Sequence, residues 1–210
     1  MSEPAPLKPV YLIVGSDRPK VRRAVQRLRR RVIAESGSDI NVAAFEVESA
    51  TTGANLRAVL EAADTPGFAL GTRLLLVFNA HHFKVKERKE LIAYIHDPMP
   101  GTCLALEAEK WAKDDALYKT VLKTGDVLSF DLPKRYEMAG WVRERAAARR
   151  LPMGAAVARH LLDVCGEEPG HSERLEREIE KLALYCRGAE AAAGDVDAVC
   201  TPDDLSLIHI

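Results

Sequence analysis

Short apolar runs alternate with stretches of helical periodicity over the first two-thirds of this chain, and that alternation restricts its fold more than any other feature. Val10-Tyr-Leu-Ile-Val14 is a continuous apolar run that stops at Gly15, as expected of a strand buried on both faces. Val21, Ala24, Val25, Leu28 and Val32 then recur at i, i+3, i+4, i+7 and i+11, one face of a helix. The order repeats: a strand over 41–47, a helix over 53–63 carrying Leu56, Val59 and Leu60, and the strongest strand of the sequence over 73–78. A helix over 86–96 follows with Leu91, Ile92 and Ile95 inward, then a strand over 102–107, a helix near 115–122 and a short last strand over 127–130. Five strands separated by helices imply right-handed crossovers and a parallel sheet covered on both faces.

From about Lys134 the strand signals stop. Three helices are expected, over 135–149, 154–165 and 172–187, the last with Leu175, Ile179, Leu182 and Tyr185 or Cys186 on one face. The turn Asp131-Leu132-Pro133 is the expected boundary, because proline stops a strand. The reading is therefore an α/β domain over 1–133 and a small helical domain over 134–204. The alanine-rich stretch 188–199 reads as a loose connection. The final six residues, Leu205-Ser-Leu-Ile-His-Ile210, back-translate to a sequencing-adapter sequence, so 205–210 are expected to be a non-native tail and the chain a fragment cut near Asp204.

Composition removes several function classes. The 210 residues are 47% hydrophobic and 29% charged with a net charge of −1, which is ordinary for a globular protein and gives no global pull toward nucleic acid or membrane. No apolar run approaches the ~20 residues needed to span a bilayer, and residues 1–9 are proline-rich without a signal-peptide core; a cytosolic location is expected. The cysteines at 103, 165, 186 and 200 have wide, irregular gaps, which indicates reduced thiols rather than a zinc site or a disulfide framework.

The loop after the first strand lacks the groups that grip nucleotide. A phosphate loop runs Gly-x-x-x-x-Gly-Lys-Ser/Thr, its backbone N–H groups and lysine meeting the phosphates and its hydroxyl holding Mg²⁺. Here the sequence is Gly15-Ser-Asp-Arg-Pro-Lys20-Val-Arg. The second glycine is missing, Pro19 removes an N–H, and Asp17 repels phosphate. The strand over 74–78 ends in Asn79-Ala-His-His82 instead of a metal-holding acid. His81 and His82, being adjacent, point different ways and read as a post-strand loop, and Asp114-Asp115 reads as a helix start that favours the helix dipole. No catalytic residue, cofactor site or metal site is expected, and the chain does not read as an enzyme.

Between Arg18 and Arg31 there are eight Lys or Arg residues and no acid. Arg22, Arg23, Arg27 and Arg30 are the candidates for contact with DNA or an acidic partner, against the plainer reading of a solvated helix face. No aromatic residues interleave with them, so single-strand stacking is not supported.

Several segments in order resemble the delta subunit family of bacterial DNA polymerase III: Val10-Tyr-Leu-Ile-Val-Gly15, Thr65-Pro-Gly-Phe-Ala-Leu-Gly-Thr-Arg-Leu-Leu-Leu-Val77, Glu107-Ala-Glu-Lys-Trp-Ala-Lys-Asp114, Trp141, Arg177-Glu-Ile-Glu-Lys-Leu-Ala-Leu-Tyr185, and Val199-Cys-Thr-Pro-Asp-Asp204. The resemblance implies a RecA-like, AAA+-type domain without a working phosphate loop, a helical lid and a further collar domain not encoded here. It implies a non-hydrolysing subunit of the clamp loader, whose partners are the sliding clamp (beta), the gamma/tau and delta prime subunits and, through the assembly, primer-template DNA, with no membrane partner. Any polymerase activity belongs to the holoenzyme. The family's clamp-binding tip corresponds to Pro66, Phe68 and Leu70; Gly67-Phe68-Ala69-Leu70 departs from the usual pair of adjacent large apolar residues. The dense Pro66, Gly67 and Gly71 turn the chain sharply at the surface, where an aromatic can insert into a partner's pocket. Two readings stay open beside this one: a degenerate P-loop nucleotide-binding enzyme, and a stand-alone DNA-binding protein using the arginine-rich helix.

Overall fold

The computed structural model describes residues 6–67, 71–166 and 171–200, and these group into two compact units, the first drawn from 6–16 and 20–130 and the second from 17–19 and 131–200. In the first unit β1 (Val10–Val14), α1 (Arg18–Ser36), β2 (Val42–Glu46), α2 (Thr52–Ala63), β3 (Arg73–Phe78), α3 (Val85–His96), β4 (Thr102–Ala108), α4 (Ala116–Thr124) and β5 (Asp126–Ser129) alternate along the chain. The five strands form one parallel sheet in the order β2-β3-β4-β1-β5.

This order and the right-handed crossover rule decide which face each helix covers. The step from β1 to β2 runs one way across the sheet, while the three later steps run the other way. Helix α1 therefore lies on one face and α2, α3 and α4 on the other. The side chains divide accordingly, with the period of two that a strand imposes. Val10, Leu12, Leu75, Val77, Leu104 and Leu106 pack with Leu56, Val59, Leu91, Ile95, Leu117 and Val121. Tyr11, Ile13, Leu74, Leu76, Cys103 and Ala105 pack with Val21, Val25, Leu28 and Val32 of α1. Each buried Val or Leu contributes roughly 1.5–3 kcal/mol, so the four inward residues of α1 are enough to fix it on the sheet although seven of its other positions are arginine. Cys103 is fully buried in this layer, and burial pushes its thiol up to about 12.

Asp115 begins α4 as a cap: its carboxylate accepts a 2.8 Å hydrogen bond from the Leu117 backbone N–H and a second at 2.7 Å from Arg88. Arg88 also lies 5.3 Å from the centre of the Trp111 ring. Burial would raise the Asp115 pKa, but the Trp111 indole beside it, the Leu117 N–H and Arg88 outweigh that cost and hold the carboxyl below its usual range.

The second unit contains α5 (Met138–Ala148), α6 (Ala155–Cys165), α7 (Ser172–Cys186) and α8 (Ala193–Val199). Its core is built from Met138, Trp141, Val142, Leu161, Leu162, Leu175, Ile179 and Leu182. The stretch 188–199, expected to be a loose connection, instead contains α8. Val196 is fully buried in the core, and the Asp195 carboxylate accepts a 2.8 Å hydrogen bond from the Ala192 N–H at the start of the helix. Alanine supplies the propensity but no amphipathic pattern, which is why periodicity did not reveal it. Among the described residues no helix is long and apolar enough to cross a membrane.

Candidate functional site

Four places singled out by the sequence can be compared with the structure: the loop after β1, the carboxyl ends of β3 and β4, the turn before β3, and the arginine face of α1. In open α/β sheets ligands bind beyond the carboxyl ends of the strands, so the first two are where nucleotide chemistry would occur.

Gly15 ends β1 with φ +149°, and its N–H donates to the Ala108 carbonyl at 3.2 Å. A Cβ added here would lie 2.1 Å from the Phe130 carbonyl oxygen. The glycine is thus required by close packing of two backbones, whatever the loop binds. Asp17, two residues on, is fully buried. Within the helical unit to which it belongs, its carboxylate accepts a 2.8 Å hydrogen bond from Arg145 of α5. Arg145 also meets Glu176 of α7 at 3.3 Å, and Arg149 donates to the same glutamate at 2.6 Å. The Arg145 guanidinium stands 5.0 Å from the centre of the Trp141 ring. Two buried acids and two half-buried arginines therefore pair in one network, and the aspartate after β1 is a member of it. The sequence identified Asp17 as hostile to phosphate but gave no sign of its burial or its partner.

At the end of β3, Asn79 adopts left-handed backbone with φ 57°. Its N–H donates to the buried Glu107 carboxylate at 3.1 Å, and its side-chain amide reaches Glu46 at 3.3 Å. Glu107, at the end of β4, was quoted above only as part of a longer segment; its role in tying β4 to the exit of β3 comes from the register of the sheet. His81 and His82 lie in a short 3₁₀ turn over Ala80–His82 and are half-buried. No group of His, Cys, Asp and Glu suited to a metal ion occurs among the described residues.

The turn before β3 is fixed at both ends. Pro66 and Gly67 are exposed, and the Arg73 guanidinium donates to the carbonyls of Thr65 at 2.9 Å and Pro66 at 3.3 Å. Gly71 has φ +131°, and a Cβ there would meet Ser36 at 3.1 Å. Phe68 and Leu70, named with Pro66 as tip residues, lie outside the described residues, as do residues 205–210.

On α1, Arg22, Arg23, Arg27 and Arg30 are all exposed. The structure brings Arg23 and Arg27 together with Lys20 and Arg31 around a cavity of about 340 Å³ whose other walls are Tyr11, Ala24, Leu28, Leu128 and Phe130. Arg22 and Arg30 do not line it. Sequence reading missed Tyr11, Leu128 and Phe130 because they come from β1 and from the end of β5, far from the arginines along the chain.

The family model described as DNA polymerase III, delta subunit, matches residues 11–131, more than half of the chain. The chain belongs to the DNA polymerase III delta subunit family. The subunit of that name from Bacillus subtilis (strain 168) is 25% identical over 210 residues, covering 95% of this chain and 56% of that protein. Among solved structures, the Bacillus subtilis DNA clamp loader delta protein superposes with a TM-score of 0.62 at 24% identity, over 93% of this chain and 59% of that one. The chain thus spans under two-thirds of the length of the relatives it matches. The family match covers the α/β unit, and the superposition shows the fold: a RecA-like parallel sheet unit followed by helices. Family membership places the chain among proteins of DNA replication.

Proposed function

We propose that this chain is a clamp-loader subunit that binds the sliding clamp through the turn carrying Pro66, Phe68 and Leu70 and favours the opened ring, while taking its energy from sibling subunits instead of hydrolysing ATP itself. A binding protein can open a ring by affinity alone: a ligand shifts an equilibrium by the difference in its affinity for the two states. An aromatic anchor in a partner's pocket contributes roughly 2 kcal/mol or more, so a small apolar tip is enough to give such a preference.

The observation that carries the reading is Asp17. Its buried carboxylate, neutralised by Arg145, stands in the loop where an ATPase of this fold needs unsatisfied N–H donors and positive charge. A triphosphate entering there would find that stretch of the loop turned inward to a carboxylate–arginine pair, and would lack the N–H that Pro19 cannot supply. The exposed Pro66-Gly67 segment, held by hydrogen bonds from Arg73, supports the second half: the chain leading into the proposed tip lies at the surface.

The test uses the cognate clamp. The chain is expected to capture it in surface-plasmon experiments, and Phe68→Ala is expected to abolish capture while leaving the circular dichroism spectrum and melting temperature unchanged. Equilibrium binding of ATP with Mg²⁺ should be undetectable. Unchanged clamp capture by the variant would remove the tip assignment, and ATP turnover by the purified chain would favour the degenerate-enzyme reading.

A further inference from the structure

The unequal covering of the sheet has a consequence at β5. Three helices pack on one face and α1 alone on the other. The inward residues of α1 reach β1, β3 and β4, but Leu128 of β5 and the following Phe130 stay only half-buried. The resulting groove runs between α1 and the edge strand β5, three strands away from β3 and its preceding turn in the sheet order. Its floor is apolar: Leu128, Phe130, Leu28, Ala24 and the ring of Tyr11. Its rim is cationic: Lys20, Arg23, Arg27 and Arg31, the three arginines spaced by four residues and so aligned along one side of the helix, with Arg31 already paired to Glu35 at 2.9 Å. No acidic residue lines it.

We propose that this groove docks a short acidic segment of a partner protein, which seats one apolar side chain on Leu128 and Phe130 and sets flanking Asp or Glu residues against Arg23 and Arg27. The charge complementarity is one-sided. The excess of basic over acidic side chains around a largely apolar floor attracts acidic approach and orients it, and the buried anchor supplies affinity. The volume, about 340 Å³, falls at the low end of ligand-sized clefts, which suits an anchor side chain with its neighbours. Nucleic acid fits less well. Stacking of successive bases needs a series of open aromatic faces, whereas Tyr11 is only 9% exposed with its hydroxyl accepting from the Lys8 N–H at 3.0 Å, leaving Phe130 as the one aromatic edge on the floor. The groove is independent of the clamp-binding turn, so either proposal can fail without the other.

The experiment pans a random-peptide phage library against the intact chain, with the doubly charge-reversed variant Arg23→Glu/Arg27→Glu as counter-selection. Both positions are exposed, so the variant is expected to fold, as thermal melting will show. Enriched peptides should carry an apolar residue flanked by Asp or Glu. The best of them, made synthetically, should lose at least about ten-fold in affinity on the charge-reversed variant, and a comparable amount as salt screens the rim. Leu128→Asp, which spoils the floor and leaves the rim intact, should also lose binding. Absence of enrichment, enrichment of peptides without the acidic-apolar pattern, or affinity indifferent to charge reversal would each overturn the proposal. So would an oligo-thymidylate probe that binds the chain and is displaced by the same substitutions while the peptides are not, which would make the groove a nucleic-acid surface.

Discussion

The guanidinium of Arg145 lies 2.8 Å from the carboxylate of Asp17, a side chain with no solvent exposure. Removing one partner of a buried ion pair is destabilising, by up to roughly 3–5 kcal/mol where the other charge is left stranded. Arg145→Ala, which also takes one of its two arginines from Glu176, is expected to destabilise the chain by about 1 kcal/mol or more in urea unfolding followed by tryptophan fluorescence. Asp17→Asn combined with Arg145→Met should cost less than the sum of the single changes, since neither charge is then stranded. Additive losses would mean that the two groups are not coupled.

Gly15→Ala tests the close approach at the end of β1. The new methyl would lie 2.1 Å from the Phe130 carbonyl, on a residue with φ +149°. Neither backbone can yield without breaking the Phe130 N–H to Val14 carbonyl bond of 2.7 Å. A loss of about 3 kcal/mol or more is expected, measured by chemical denaturation; a variant as stable as the parent would show that the loop repacks.

Asp115 gives a pH dependence with a definite sign. Its folded pKa is lowered, so its contribution is present at neutral pH and is lost as pH falls below the usual carboxylate range, about 4, and through the folded value. Asp115→Ala removes both the cap of α4 and the Arg88 partner and is expected to cost about 1–2 kcal/mol near neutral pH. Asp115→Asn keeps an acceptor for Leu117 and should cost less. The gap between wild type and Asp115→Asn should shrink as pH is lowered, and a gap that widens in acid would contradict the assignment.

Arg73→Ala examines the turn that carries the proposed tip. Two hydrogen bonds to the carbonyls of Thr65 and Pro66 would be lost, each worth roughly 0.5–1.5 kcal/mol. If the tip works through a preorganised turn, clamp affinity should fall several-fold, with a faster off-rate, and the melting temperature should drop by only a few degrees. Unaltered dissociation kinetics would show that the turn is ordered by other contacts.

Much of the α/β unit was legible because its signals are local. The apolar run over 73–78 coincides with β3, and the spacing of Val21, Val25, Leu28 and Val32 identified the buried face of α1. Helix α8 was not legible, because an alanine-rich segment with one inward valine has no periodicity to detect. At the loop after β1 the residue types were legible and the geometry was not. Missing phosphate-loop residues can be seen in a list, but the burial of Asp17 depends on Arg145, 128 residues further along the chain. Similarly, the arginines of α1 looked like a bare charged face until β1 and β5 brought Tyr11, Leu128 and Phe130 beside them.

The register of α1 bears on whether such a chain could be given a nucleotide grip. Counting from Gly15, a phosphate loop would place its lysine at position 21 and its hydroxyl at 22. Position 21 is held by a valine with 2% exposure, packed beneath the helix against the sheet. An ammonium installed there would have to leave the interior or lie in it without a counter-charge, so the change that catalysis requires is one that folding resists. The face of α1 that would have to carry the lysine is committed to the hydrophobic layer, so a phosphate grip cannot be installed here by a single substitution.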